Sequence, residues 1–199
     1  MKRILLVRHG ESEWNAIRRL QGQADIGLSQ KGEQQAEALA PMVASFSPGL
    51  VLTSDLKRAA NTAALLGHPD AVREPLLREQ NVGAWTGLEI AQLMAEAPGA
   101  YAGWRAGTFA PENGELWTDF RARVGQALAK ARAAQAETVL MVCHGGVIRA
   151  ALDGALGLPP ARIIPVGPAS LTIIAFPSGE PRLEVFNATT FAPIVDAPD

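Results

Sequence analysis

Ile4-Leu5-Leu6-Val7-Arg8-His9-Gly10-Glu11 is an unbroken apolar run that stops abruptly at a cation, an imidazole and a glycine. Four apolar residues without alternation predict a strand covered on both faces, as in a parallel sheet between two helix layers. Two later stretches have the same form. Leu50-Val51-Leu52 leads into Thr53-Ser54-Asp55, with Arg58 one turn into the following helix. Thr138 to Val142 leads past Cys143 into His144-Gly145-Gly146.

Helices are predicted between these runs. Ser29 is placed to cap a helix over Gln30 to Phe46, where Ala36, Leu39, Ala40 and Val43 recur at helical spacing, and Pro48-Gly49 ends the unit. Ser54 or Asp55 is placed to cap the next helix, which runs to about Leu66, and Val72 to Leu77 reads as a strand. Residues 115–135 and Gly146 to Leu156 read as helices. Leu171 to Phe176 and Arg182 to Phe186, separated by Pro177-Ser178-Gly179-Glu180, read as a closing hairpin. The stretch from about 80 to 114 differs in texture: Trp85, Tyr101, Trp104 and Phe109 stand among six glycines and two prolines, which suggests a lid or insertion with one short helix near 88–96. The class is α/β, a three-layer α/β/α arrangement with a mostly parallel sheet. No repeat or linker divides the chain, so residues 1–199 are expected to form one domain.

Composition narrows the function. The 199 residues are 48% hydrophobic and 19% charged, with a net charge of −2. A weakly acidic chain without a basic stripe gives no basis for nucleic-acid binding, so an anionic ligand needs a local cluster of cations. One cysteine rules out an internal disulfide. The basic opening Met1-Lys2-Arg3 is followed by only four apolar residues, too few for a signal-peptide core or a membrane span. A cytoplasmic protein with no membrane partner is the expectation.

Open parallel sheets bind ligands beyond the carboxyl ends of their strands. If the three apolar runs are parallel strands, Arg8, His9, Arg58 and His144 meet at one sheet edge. Guanidinium forks match phosphate oxygens in bidentate fashion. A single histidine at a strand end is more often structural, but here two of three histidines occupy a His-Gly step after separate runs.

These residues resemble the histidine phosphatase superfamily, also called phosphoglycerate-mutase-like. Arg8-His9-Gly10-Glu11 and His144-Gly145 carry the resemblance, supported by Asn15, Arg19-Leu20-Gln21-Gly22 and Asp25. Leu28 to Ala36 looks like the family's first helix, and Ser54 to Ala59 with Thr62 looks like its second arginine motif. Glu79 with Gly83, Trp85 and Gly87 resembles the segment bearing the acid, and Asn113-Gly114-Glu115 resembles the Gly-Glu motif before the long helix. The resemblance implies His9 as nucleophile, neutral, with one nitrogen bare and the other donating to a backbone carbonyl. It implies Arg8, Arg58 and His144 around the phosphoryl oxygens and Glu79 as proton donor and acceptor, with Asn15, Gln21, Gly22 and Gly145 completing substrate binding. It implies no metal and no cofactor.

Gly27 stands where the family often has proline, and Leu116 where serine often follows Gly-Glu; neither removes a mechanistic group. Three activities fit the motifs: a phosphatase for a small phosphorylated metabolite, a phosphoglycerate-type mutase, and a phosphate-binding module. Mutase relatives look longer in the lid and carry paired arginines there, whereas Arg105 is the only arginine between Arg78 and Arg121. Hydrolysis is therefore favoured, and an intact His9, Glu79 and arginine pair ranks the binding module last. Sugar phosphates, phosphoglycerate and α-ribazole phosphate all suit a small cleft with one extra cation. Other residues carry two readings each. Glu11 tunes the pocket or ties a loop, the tryptophans at 14, 85, 104 and 117 line the cleft or close a satellite core, and Glu115 is a second acid or a helix cap. Cys143 should face the core, opposite to His144, and His68 should be a surface turn residue.

Overall fold

A computed structural model describes residues 1–191. The strands are β1 (Lys2–Arg8), β2 (Leu50–Thr53), β3 (Val72–Arg73), β4 (Thr138–Cys143), β5 (Leu171–Phe176) and β6 (Arg182–Ala188). The α-helices are α1 (Glu13–Ala16), α2 (Gln30–Ala44), α3 (Lys57–Leu65), α4 (Ile90–Glu96), α5 (Pro98–Ala106), α6 (Trp117–Ala133) and α7 (Gly145–Leu156). One sheet holds the strands in the order β3-β2-β4-β1-β5-β6. The first four of that order run parallel, and β5 and β6 are the antiparallel closing hairpin.

Strand periodicity builds the three layers. Ile4, Leu6, Met141 and Cys143 point into one core, with Phe120, Val124 and Ala127 of α6 and Val147, Ile148 and Ala151 of α7. Leu5, Val7, Leu140 and Val142 point into the other, with Leu39 and Val43 of α2 and Ala59 and Ala63 of α3. Both central strands are covered on both faces, which is why their sequences show no polar alternation. Cys143 is among the core residues, and burial pushes its thiol well above the usual value, so it stays an unreactive thiol. No helix of the described residues is long and apolar enough to cross a membrane.

Three local expectations change. Ser29 does cap α2, accepting the Gly32 N–H at 3.1 Å, but α3 has Leu56 at its cap position and no side-chain cap. Ser54 instead faces His144 at 3.0 Å, and Asp55 is held by Arg78 through bonds of 2.6 and 2.8 Å. The strand expected over Val72–Leu77 is only Val72–Arg73; Pro75, which has no N–H to give a sheet, opens a 3₁₀ turn through Leu77. The segment 80–114 holds two α-helices where one was expected. Pro98 occupies the first turn of α5, where its missing N–H costs nothing, and Gly107 at φ +77° closes it. Leu93 of α4 and Trp104 of α5 meet Leu20 and Val82 in a small third core, flanked by Trp85 and Tyr101.

Candidate active site

β1 and β4 pair in parallel with Arg8 opposite Cys143, so His9 and His144 leave the sheet side by side. Their ring centroids are 5.1 Å apart. The His9 peptide is pinned on both sides: its N–H donates to Cys143 O and its carbonyl accepts from the Ala169 N–H, each at 3.0 Å. His9 Nδ1 lies 2.6 Å from the Gly10 carbonyl. A carbonyl only accepts, so Nδ1 carries the proton and Nε2 keeps its lone pair. Arg58 Nε, which can only donate, approaches that lone pair at 3.2 Å. Burial, then the cations of Arg58 and Arg8, hold the ring well below the usual histidine pKa. His9 is therefore neutral at neutral pH.

Arg58 is aimed by main-chain carbonyls: Nη1 donates to Ala24 O at 2.7 Å and Nη2 to Gly22 O at 2.8 Å. Gly22 adopts φ +49°, and a β-carbon there would stand 2.7 Å from a Val82 methyl, so the turn that presents this carbonyl needs glycine. Burial lowers the Arg58 pKa to about 10, which leaves the guanidinium charged at neutral pH. Arg8 is equally buried and donates through Nη1 to Val166 O. Two guanidinium groups thus supply local positive charge in a chain whose net charge is −2.

Ser54 fixes the second histidine. Its hydroxyl oxygen accepts weakly from the Leu56 N–H at 3.4 Å and lies 3.0 Å from His144 Nε2. The Ser54 hydroxyl can give its proton to Nε2, an arrangement that puts the ring proton on His144 Nδ1. That atom is buried with no hydrogen-bond partner among the described residues, a donor left for an anion. Burial, followed by Arg58, His9 and Arg8, holds the His144 pKa far below the usual value as well.

Glu79 reaches the same place from the loop after the 3₁₀ turn. Its Oε1 accepts the Gln80 N–H at 2.8 Å, and its Oε2 accepts the Gly146 N–H at 3.0 Å in the first turn of α7. A β-carbon on residue 146 would overlap Oε1, so glycine lets the carboxyl sit on the helix. Arg8, His9, Leu20, Gln21, Gly22, Arg58, Glu79 and Trp104 line one narrow cleft.

The remaining expected residues divide. Gln21 is in the cleft wall, accepting from the Ser12 hydroxyl at 2.7 Å. Gly145 lies under Arg8, where a β-carbon would be 3.7 Å from its guanidinium carbon. Asn15 stands outside the lining and forms a capping box with Ser12, closing α1 through bonds of 3.0 and 3.1 Å. Glu11 ties the loop to the start of α2 through Ser29 and Lys31. Of the tryptophans, Trp104 alone lines the cleft; Trp85 stacks on Phe109, and Trp117 donates to Asp153 at 2.8 Å. Trp14 packs beside Gly87. His68 is partly exposed in its turn. Both oxygens of Glu115 are bonded to Arg123. Sequence reading missed the Ser54–His144 pairing and Arg123 altogether. Arg123 stands in mid-helix and has no local motif to mark it.

The profile of the histidine phosphatase superfamily (branch 1) matches residues 4–189. The chain belongs to the histidine phosphatase superfamily. Glucosyl-3-phosphoglycerate phosphatase of Mycobacterium tuberculosis is 37% identical to it over 212 residues, covering 94% of this chain and 95% of that protein. Metal-independent phosphoserine phosphatase of Arabidopsis thaliana is 38% identical over 156 residues, covering 74% of this chain and 66% of that one. A mycobacterial glucosyl-3-phosphoglycerate phosphatase solved with VO3 has the same fold, with a TM-score of 0.87 at 38% identity over 95% of this chain and 100% of that one. Within this superfamily the chain is a phosphomonoester hydrolase.

Proposed function

We propose that the chain hydrolyses small phosphomonoesters without a metal, through a phosphohistidine on His9. The observation that carries the proposal is the state of His9: Nδ1 is spent on the Gly10 carbonyl, and Nε2 is unprotonated in the cleft, its lone pair accepting from Arg58 Nε–H. In the first step Nε2 attacks phosphorus, the ester P–O bond breaks, and Glu79 gives its proton to the departing alcohol. In the second, water attacks the phosphohistidine, Glu79 takes the water proton, and the P–N bond breaks to release orthophosphate. Arg8, Arg58 and the Nδ1–H of His144 hold the phosphoryl oxygens as charge redistributes. Gly145 lies beside Arg8, and Gln21 and Gly22 shape the wall. Asn15 acts by holding the loop that carries Gln21.

Two arginines supply the positive charge that a metal would otherwise bring. Among the described residues no three His, Cys, Asp or Glu side chains gather as a metal-ligating group. The named activity of the Arabidopsis relative, a metal-independent phosphatase, agrees with this reading. Among the described residues the cleft lining has no cation besides Arg8 and Arg58 to clamp a second anionic group, which favours hydrolysis over mutase chemistry. Trp104 brings the 80–114 segment over the cleft, so that segment serves as the lid that selects the alcohol portion of a small phosphorylated metabolite. The free thiol of Cys143 fits a cytoplasmic location.

Phosphate release from a panel of esters, 3-phosphoglycerate included, in excess EDTA is the test. Release that persists in EDTA and disappears in His9→Ala supports the proposal. Loss of activity in EDTA with recovery on adding a divalent metal, or no release from any ester, overturns it.

A further inference from the structure

Behind Glu79, away from the cleft, Arg123 projects from the second turn of α6. All five guanidinium N–H groups are used. Nη1 donates to the carbonyls of Leu76 at 2.8 Å and Arg78 at 2.9 Å. Nη2 donates to the carbonyl of Glu79 itself at 3.3 Å and to Glu115 Oε2 at 2.9 Å, while Nε donates to Glu115 Oε1 at 2.9 Å. Glu115 extends the clamp. Its carbonyl accepts from Gln80 Nε2 at 2.8 Å, its N–H donates to Asn81 O at 2.8 Å, and Oε2 also accepts the Asn81 N–H at 3.2 Å. The pair is largely withdrawn from water, with side-chain exposures of 19% and 18%. Arg123 also lies over the Phe120 ring, 4.9 Å from its centroid.

We infer that the Arg123–Glu115 pair is a positioning device for the Glu79 carboxyl, acting on the alcohol-releasing step of the reaction. The inference rests on the reading of Glu79 as the proton donor. Glu79 sits on an irregular stretch with no ladder of its own to hold it; Arg123 holds the carbonyl of Arg78 and, together with Gln23 Nε2 at 3.1 Å, that of Glu79. A lysine would keep the charge and lose the fork that binds carboxylate and carbonyls together. Misplacing a reacting group by an ångström costs on the order of 10²-fold in rate, and a general acid contributes about 10²–10⁴-fold in total.

The experiment uses two esters. The alkoxide leaving from glycerol phosphate needs a proton, and the phenolate leaving from p-nitrophenyl phosphate does not. The readout is the ratio of their kcat/KM values, which covers only steps up to alcohol release and is independent of the fraction of folded enzyme. Wild type, Glu79→Gln, Arg123→Lys, Arg123→Gln, Glu115→Gln and the Arg123→Gln/Glu79→Gln double variant are compared. The ratio should fall ~10–100-fold in Arg123→Gln, within the range open to a general acid, and less in Arg123→Lys and Glu115→Gln. The double variant should be no worse than Glu79→Gln alone on glycerol phosphate. An Arg123→Gln ratio equal to wild type, whether both esters keep full activity or lose it equally, overturns the inference while leaving Glu79 in its role. An unchanged ratio in Glu79→Gln overturns the acid reading, and the positioning role falls with it.

Discussion

Replacing His9 by glutamine should make the protein less sensitive to mild acid as well as inactive. Both His9 and His144 are buried beside two cations and are held neutral in the folded state. In the unfolded chain each recovers an ordinary pKa of ~6.5. As pH falls through that value the unfolded state takes up protons that the folded state refuses, so stability declines with pH. From about pH 7.5 to about pH 5.5, each histidine shifts the balance by at most about 1.4 kcal/mol, the limit reached when the folded ring takes up no proton in this range. The contribution is complete above the unfolded pKa and shrinks steadily below it, toward the much lower folded value. Glutamine does not titrate, so His9→Gln should show up to about 1.4 kcal/mol less acid destabilisation than wild type. Urea unfolding at the two pH values measures this directly. With a slope of about 2 kcal/mol per molar urea, the difference amounts to at most ~0.7 M in how far the midpoint moves. Groups remote from His9 cancel in the comparison, and His144 keeps burial and Arg58, the two largest of the influences that hold it neutral. Parallel pH dependence in the two proteins would mean that folded His9 is protonated as readily as an exposed histidine, and the bare Nε2 nucleophile would lose its physical basis.

Gly146→Ala should cut kcat/KM on an alkyl phosphate by ~10–100-fold, because its methyl occupies the space of a Glu79 carboxylate oxygen. Its thermal unfolding should change little, since alanine favours the helix by about 1 kcal/mol. Gly10→Ala should destabilise the fold by ~2 kcal/mol or more in denaturant unfolding, because the new β-carbon would overlap the Gly32 carbonyl, which is backbone and cannot swing aside. Ser54→Ala leaves the buried His144 Nε2 without its hydroxyl partner. It should cost ~1–3 kcal/mol of stability and weaken competitive inhibition by inorganic phosphate, both readily assayed.

The central strands and the chemistry at their ends were legible in the sequence because a strand buried on both faces must be apolar throughout, and the residue where apolarity stops is where the chain leaves the sheet. Ile4–Val7 and Thr138–Val142 show this, and the two His-Gly steps follow directly. The cap at Ser29 was legible for the same kind of reason, since its partner is three residues away. The second helix of the 80–114 segment was not, because its glycines and Pro98 hide a pattern that packing against Leu20 and Val82 overrides.

The tertiary structure decided the state of each candidate site group. Ser54 looked like a helix cap until β2 and β4 brought it to His144, 90 residues away. The Glu79 carboxyl is seated by Gly146, 67 residues on, and its backbone by Arg123, 44 residues on. The proton on His9 is set by a carbonyl one residue away, but the cation that faces its lone pair comes from the first turn of α3, 49 residues on. Hydrophobic periodicity is a local record of burial, so it writes elements into the sequence. Hydrogen bonds across such separations require only the right atom at the end of the right element, and they leave no period to read.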